Sequence, residues 1–317
     1  LDILRPKYQA ALAKTKAAST DDVKHGVGIS LGVYGSGLDG PDSAEVDAQI
    51  NADDTVTIYT TWHDHGQGAD MGALATAQEA LYKVGVGPER IKLVLNDTSV
   101  CPNGGPAGGS RSQVVIGRAI KAACELLAGG MRDGKGGVRT YAQMVAEKIP
   151  TKYNGKWTAP AEACDENGQG RPFACYMYGV FLAEVAVDLK TGATTVGKMT
   201  LVADIGKIAN RLVVDGQMYG GLAQGIGLAL TEDFEDIHKH STLVGAGFPY
   251  IKQIPDDMEL LYVETERPEG PFGASGVGEL PLTCPHAAII NAIYNACGVR
   301  ITRLPALPEK ILAGLKG

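Results

Sequence analysis

The sequence predicts an α+β fold, with antiparallel and mixed sheets packed by helices. Three observations carry this. Period-two runs come in groups, at 27–60 and again at 181–202. Helix-period runs stand apart from them, at 70–84, 110–127 and 286–297. Strands and helices do not alternate strictly, as a parallel βαβ sheet would require.

Residues 1–25 read as an amphipathic helix and a polar break at Ser19-Thr-Asp-Asp22. Val27, Ile29, Leu31 and Val33 then alternate with glycines and Ser30, a strand pattern. Strands follow over Val46–Ile50 and Val56–Thr60, joined by a hairpin turn at Asn51–Asp54. Leu74, Ala77, Leu81 and Val84 share one helical face, and Gly85 with Gly87-Pro88 stops that helix. Ile91–Leu95 is a strand. After a glycine-rich loop at 101–109, a second helix runs from about Ser110 with Ile116, Ile120, Ala123 and Leu127 buried. Gly129–Gly137 reads as a flexible, charged connection, and 138–170 carries little pattern. A strand–turn–strand spans 181–202, an apolar Gly-rich helix 215–230, and an acidic, Pro-containing excursion 232–255. A strand at 260–263, a loop at 270–283, the helix at 286–297 and a short one from Pro308 complete the chain.

Composition narrows the function. Glycine is 42 of 317 residues, about 13% against about 7% in average proteins. The glycines follow no collagen period and cluster in short loops, where backbone bends or approaches a ligand closely. A net charge of −7 argues against a nucleic-acid partner. No run of apolar residues is long enough to span a membrane. The chain opens Leu-Asp-Ile-Leu-Arg-Pro, without an initiator Met or a signal-peptide pattern, and reads as a processed product or part of a longer polypeptide. Its six cysteines form no C-x-x-C pair and read as reduced thiols, so the expected compartment is cytoplasmic, with a periplasmic one left open.

One arrangement recurs three times: a Gly-rich loop feeding a helix N-terminus. The loops are Gly66-Gln67-Gly68, Gly108-Gly109-Ser110-Arg111-Ser112-Gln113 and Gly273-Ala-Ser-Gly276-Val277-Gly278-Glu279. Free N–H groups and partial positive charge suit such junctions to anions. At the second, two hydroxyls and a guanidinium stand where they would grip phosphate oxygens. Equally, Ser110 reads as an ordinary N-cap and Arg111 as a solvated side chain. Glu279, a lone carboxylate among glycines, reads either as a general base or, by its pattern alone more readily, as a loop acid.

Other motifs are weak. Gly35-x-Gly37-x-x-Gly40 is followed by Pro41 and a strand, so it is a turn, not a dinucleotide fingerprint. His63-Asp-His65 lacks further zinc ligands nearby, His238-Lys-His240 lies in an acidic loop, and Cys284-Pro-His286 cannot pair productively. Asn96-Asp-Thr98 matches a glycosylation sequon by chance.

Gly270-Pro-Phe-Gly-Ala-Ser-Gly-Val-Gly-Glu279 resembles a signature of the xanthine oxidase family of molybdenum hydroxylases. Gly66-Gln67-Gly68, Gly109-Ser110-Arg111-Ser112 and Asp215-Gly-Gln217…Gln224-Gly-Ile-Gly227 resemble three more of its motifs, in family order. The likeness covers nearly the whole chain and is nearest to aldehyde-oxidising bacterial members. It implies the second half of the molybdenum cofactor-binding domain, residues 1–317, as two lobes meeting near 129–175. The implied cofactor is molybdopterin cytosine dinucleotide carrying molybdenum, held by its own dithiolene and so without side-chain metal ligands. The implied reaction oxidises an aldehyde to a carboxylic acid with water as oxygen source. Glu279 matches the base that deprotonates the molybdenum-bound hydroxide. His63, Gly66, Gln67 and Gly68 match the cofactor loop. Gly109, Ser110, Arg111, Ser112 and Gln113 match the dinucleotide-holding loop, and Gly276, Val277 and Gly278 the backbone beside the metal.

Two departures qualify the likeness. Ser275 stands where many members have Lys. The cysteine motifs for iron–sulfur clusters and the Arg-bearing cofactor loop of the first half are missing. The resemblance therefore places 2Fe-2S clusters and the first molybdenum domain on a missing part or partner chains. It also implies an electron-acceptor protein, a homodimer as a further expectation, and no turnover by this chain alone. Two other functions stay open: a purine or N-heterocycle hydroxylase of the same family, or a non-catalytic nucleotide-cofactor-binding module.

Overall fold

The computed structural model describes residues 1–316 and builds two four-stranded mixed sheets. Helix α1 (Arg5–Ala18) leads into β1 (Val23–Ser36). Then come β2 (Ser43–Ile50), β3 (Val56–Thr60), α2 (Asp70–Leu81) and β4 (Ile91–Leu95). Next are α3 (Gly117–Met131), α4 (Tyr141–Ala146) and β5 (Lys152–Thr158). The remainder is β6 (Cys175–Asp188), β7 (Thr194–Asp204), α5 (Arg211–Leu230), β8 (Met258–Val263), α6 (Pro285–Cys297) and α7 (Pro308–Gly314). The strand orders are β4-β3-β2-β5 and β1-β6-β7-β8; the β3–β4 and β7–β8 pairs are parallel and the rest antiparallel.

Each sheet has its own core. In the first, Val46, Ala48, Ile50, Val56 and Ile58 lie under α2 and α3, buried with Ile116, Ile120 and Leu127. Its other face is polar, with Lys156 paired to Glu45 and Lys152 to Asp47. In the second, Phe181, Ala183, Met199 and Leu201 meet Met218, Leu222, Ile289 and Ile293 of α5 and α6. On the reverse face, α1 covers Val27, Leu182 and Val202. The chain crosses between the sheets at 37–42 and again at 159–174.

The structure revises several expectations. The 138–170 stretch contains α4 and β5. Thr140 and Gln143 form the capping box of α4. β5 escapes a hydrophobic pattern because its buried position is Gly155, pressed on Ala119 and Ala123 of α3. The connection at Gly129–Gly137 is shorter than expected: α3 runs on to Met131, and an Arg132–Val138 bridge with Asp133 accepting from Lys135 and Gly137 closes a tight turn. α5 begins at Arg211, four residues before the expected start, because Asn210 accepts from the Val213 N–H as its cap.

β1 alternates as expected, but its glycine face is the one packed against a helix. A Cβ at Gly28 would collide with the backbone of Ala288 and Ala292 in α6, and one at Gly26 with Ala292 and Ala296. On the opposite face Val27 lies under α1, while Ile29, Leu31 and Val33 stay exposed. The same device seats α5, whose Gly221 receives Pro281 and whose Gly225 receives Pro285.

Arg111 is the main correction to the sequence reading. Its guanidinium is neither solvated nor available to phosphate; it is fully buried. It donates to Asp42 from Nε (2.7 Å) and Nη2 (2.7 Å). Nη1 donates to the carbonyls of Gly104 (2.8 Å) and Pro106 (2.7 Å), and Nη2 to that of Ser43 (3.1 Å). Its five N–H donors are thus all used inside the protein. The pair fastens the 104–106 loop to the start of β2.

Two predictions follow from packing. Adjacent glycines of α5 should respond oppositely in denaturant unfolding: Gly221→Ala destabilises by about 1–3 kcal/mol, because Pro281 blocks the methyl. Gly220→Ala, which meets nothing within 4 Å, stabilises by roughly 0.5–1 kcal/mol. Arg111→Met, leaving Asp42 buried and unpaired, should cost about 3–5 kcal/mol, and adding Asp42→Leu should recover much of that loss in the same measurement.

Candidate active site

Glu279 ends the loop that began at Gly270 and opens a single 3-10 turn, Leu280–Leu282. That turn is anchored on two sides. Leu280 is fully buried in the second core, and Thr283 Oγ1 sits against Gly32 of β1. Ser30 of β1 donates to the Cys284 carbonyl (2.6 Å), while Gln217 of α5 donates to the Gly278 carbonyl (2.6 Å). Residues 273–275 are fixed against 205–207: Lys207 N–H donates to Gly273 O (2.9 Å), and Ser275 Oγ donates to Ile205 O. Buried Arg267 braces the same loop by donating to Tyr176 O and to Asp204.

Glu279 lies on the wall of a cavity of about 290 Å³. Four stretches line it: residues 62–72, residues 107–113, the 205–217 segment and Ser275–Glu279. The structure therefore brings Gln67, Ser110, Arg111, Ser112, Gln113, Gly276, Val277, Gly278 and Glu279 together, with Arg111 contributing no free guanidinium donor. His63, Gly66, Gly68 and Gly109 lie just outside that lining. The His63 ring is parallel to His65 at 6.3 Å, and its Nδ1 is buried without a partner. Glu279 is the one carboxylate among the described lining residues.

The three anion-binding junctions are not equivalent. At the first, Asp64 accepts from the N–H groups of Gly66 (2.7 Å), Gly68 (3.3 Å) and Asp70 (3.1 Å). Burial raises the Asp64 carboxyl, but these backbone donors outweigh it and its pKa falls. Asp70 is raised by burial and then by the charge of Asp64. An internal carboxylate thus already occupies this helix terminus. At the second, Ser110 is not an N-cap: its φ is +52°, and a wide π turn over Ser112–Ile116 precedes α3. Its hydroxyl donates to Glu279 Oε2 instead. At the third, the 3-10 turn intervenes before α6.

Several residues here carried no signal in the sequence. Asp42 and Arg267 act through partners distant along the chain. Asn210, Lys207 and Ile208 lie on the wall because β7 ends beside the loop at 273–275. Tyr34 of β1 also stands beside Glu279; burial, then that carboxylate's charge and a hydrogen bond to it, raise the phenol's pKa.

Among the described residues, no group of three or more His, Cys, Asp or Glu is placed to hold a metal ion. The cavity does fit a ligand rich in polar edges that brings its own metal. Trp62, on the wall, has a buried indole N–H without a partner. Gly108 opens onto free space. Gln67, Gln113, Asn210 and Gln217 line it with amides that each also make one or more hydrogen bonds within the chain.

Comparison with known proteins gives the family. The model of the molybdopterin cofactor-binding domain matches residues 4–255. An aldehyde oxidoreductase of Megalodesulfovibrio gigas is 62% identical, aligned over 100% of this chain and 35% of its own length. The gamma subunit of a 6-hydroxypseudooxynicotine dehydrogenase complex from Paenarthrobacter nicotinovorans is 28% identical over 96% of this chain and 41% of its own. The crystal structure of an aldehyde oxidoreductase from Desulfovibrio desulfuricans superposes with a TM-score of 0.97 at 64% identity, covering 99% of this chain and 34% of that one. The chain spans about a third of the length of the aldehyde oxidoreductase relatives. It belongs to the molybdopterin cofactor-binding domain family, within the xanthine oxidase family of molybdenum enzymes.

Proposed function

We propose that this chain is the C-terminal molybdenum region of an aldehyde oxidoreductase, forming two lobes over 1–317, with Glu279 as general base. The observation that carries the reading is the position of Glu279, on the wall of the cavity where the glycine loops converge. Identity of 62% to an aldehyde oxidoreductase, against 26% to a probable hypoxanthine oxidase of Escherichia coli, favours aldehydes over purines.

When bound, the molybdenum cofactor supplies the two-electron oxidant and activates water as the oxygen source. The chain's own residues orient, shield and move protons. Ser110 holds Glu279 Oε2, Tyr34 stands beside the same carboxylate, and the carboxylate would take the proton as oxygen adds to the aldehyde carbon. Gln67, Gln113 and Gln217 present amides to the cofactor's polar edges, and His63 Nδ1 and Trp62 Nε1 are buried groups in want of a partner. Gly276, Val277 and Gly278 bring backbone to the reacting end. The cytosine dinucleotide tail would lie along Gly109, Ser110, Ser112 and Gln113, gripped by backbone and the Ser112 hydroxyl, not by Arg111 or by the Ser110 hydroxyl, which is engaged with Glu279. Gly66 and Gly68 shape the cofactor loop around Asp64.

The remaining parts of the enzyme fit the surface of this chain. Ile29, Leu31, Val33 and Tyr178 form an exposed apolar stripe where β1 meets β6. Such a stripe suits the first molybdenum and iron–sulfur domains as neighbours. The 2Fe-2S clusters and the contact with an electron acceptor belong to those parts. All six cysteines are free thiols, which suits a reducing, cytoplasmic compartment.

In the full-length enzyme, Glu279→Gln should lower kcat by at least about a hundredfold, as expected for loss of a general base, while molybdenum per protein is unchanged. Steady-state assays with benzaldehyde and hypoxanthine, alongside metal analysis, check this. Retained aldehyde turnover removes Glu279 from the mechanism, hypoxanthine turnover alone replaces the substrate class, and absence of molybdenum leaves a non-catalytic nucleotide-binding module.

A further inference from the structure

Ser110 holds a conformation that costs a side chain energy. Its φ of +52° lies in the left-handed region, where glycine sits at ease and a residue with a Cβ is strained. The neighbouring Gly109, at φ +57°, shows the usual solution. The strain is imposed from three sides. Ser36, fully buried at the end of β1, donates to the Ser110 carbonyl (2.8 Å). Gly37 N–H donates to the Gly109 carbonyl (3.0 Å). Gly276 presses on the Ser110 carbonyl so closely that no Cβ would fit between them.

What the serine contributes is its hydroxyl, which meets one residue twice. Oγ donates to Glu279 Oε2 and accepts from the Glu279 backbone N–H (3.2 Å). Side chain and main chain of Glu279 are thereby fixed to one atom, on a residue whose carbonyl is held by Ser36 of β1. Gly278 lacks a Cβ at the point where Ser110 Oγ passes, at 3.1 Å from where one would be.

We infer that Ser110 is a positioning residue for Glu279, setting the carboxylate's direction toward substrate, in place of the cofactor-gripping role its sequence context implies. The inference rests on the general-base reading of Glu279. A carboxylate released from this clasp rotates about its own side-chain torsions, and a displacement of about 1 Å from productive geometry costs up to about a hundredfold in rate.

The test is Ser110→Gly in the full-length, molybdenum-loaded enzyme, because glycine removes the hydroxyl and suits the backbone at φ +52°. The expected result is a fall in kcat of about tenfold to a hundredfold, with KM changed by less than about twofold. The thermal midpoint stays level or rises, and molybdenum per protein is unchanged. Combined with Glu279→Gln, the substitution should add no further loss, since the hydroxyl then has no carboxylate to aim. An unchanged kcat overturns the positioning role. A loss of molybdenum in parallel with kcat also overturns it, because Ser110 would then hold the cofactor. Glu279→Gln measured beside it separates the two readings: turnover retained there removes the general base itself, whereas an inactive Glu279→Gln with a fully active Ser110→Gly removes only the clasp.

Discussion

Helices lie on this protein's sheets at distances that leave no room for a Cβ. Gly26 and Gly28 let α6 rest backbone to backbone on β1, and Gly221 and Gly225 let α5 take Pro281 and Pro285 into its surface. Both contacts converge on the turn that carries Glu279. The turn leads directly into α6, its Pro281 packs on Gly221 of α5, and its loop meets the 107–113 loop where Gly276 presses on Ser110. A methyl at any of these places must move backbone, and in a close-packed interior that shift is transmitted to the next contact. Glycine here acts chiefly as an absence of volume, and only secondarily as freedom of φ.

Within that frame, charge is handled economically. The buried Arg111–Asp42 pair is costly to desolvate, and it persists because Arg111 uses all five donors and Asp42 also accepts from the Leu38 N–H (3.1 Å). Asp64 likewise satisfies the N-terminus of α2 from within. Arg111 is spent internally, which leaves Lys207 and His65 as the other basic residues among the described residues lining the cavity. An anionic cofactor would therefore be held mainly by amides, hydroxyls and backbone, which fix position through many weak directed contacts and suit a ligand whose reactive end must be aimed.

The sequence made the secondary structure largely legible, because strands and helices here are long and strongly periodic. The three glycine loops read as shaped to meet a ligand, and the structure brings residues of all three onto one cavity. What stayed hidden were the acceptors. Arg111 shows its donors in sequence, but Asp42 lies 69 residues away, so grip on phosphate and an internal pair look alike. Ser110 looks like an N-cap because nothing local shows that its hydroxyl meets a carboxylate 169 residues on. β5 was missed because its inward position is a glycine, and the inward face of β1 carries glycines for the same reason: periodicity marks side chains, and these contacts are made without them.

The two hydrophobic cores are complete on their own, while the cavity is shared between them. Residues 62–72 and 107–113 belong to the first sheet's side, and 205–217 with 275–279 to the second's. Contacts that join the sides include the Ser36 and Gly37 hydrogen bonds to residues 109–110, the Ser110–Glu279 contact, Pro271 against Gly117 and Val213 against Gly68. The first three of these act at residues 109–110. This short segment therefore sets the relation of the two sides at the cavity, and the direction of Glu279 with it. Strain at Ser110 is tolerable there because the cost falls on one residue, while the two cores, each buried on its own sheet, hold the surrounding backbone still.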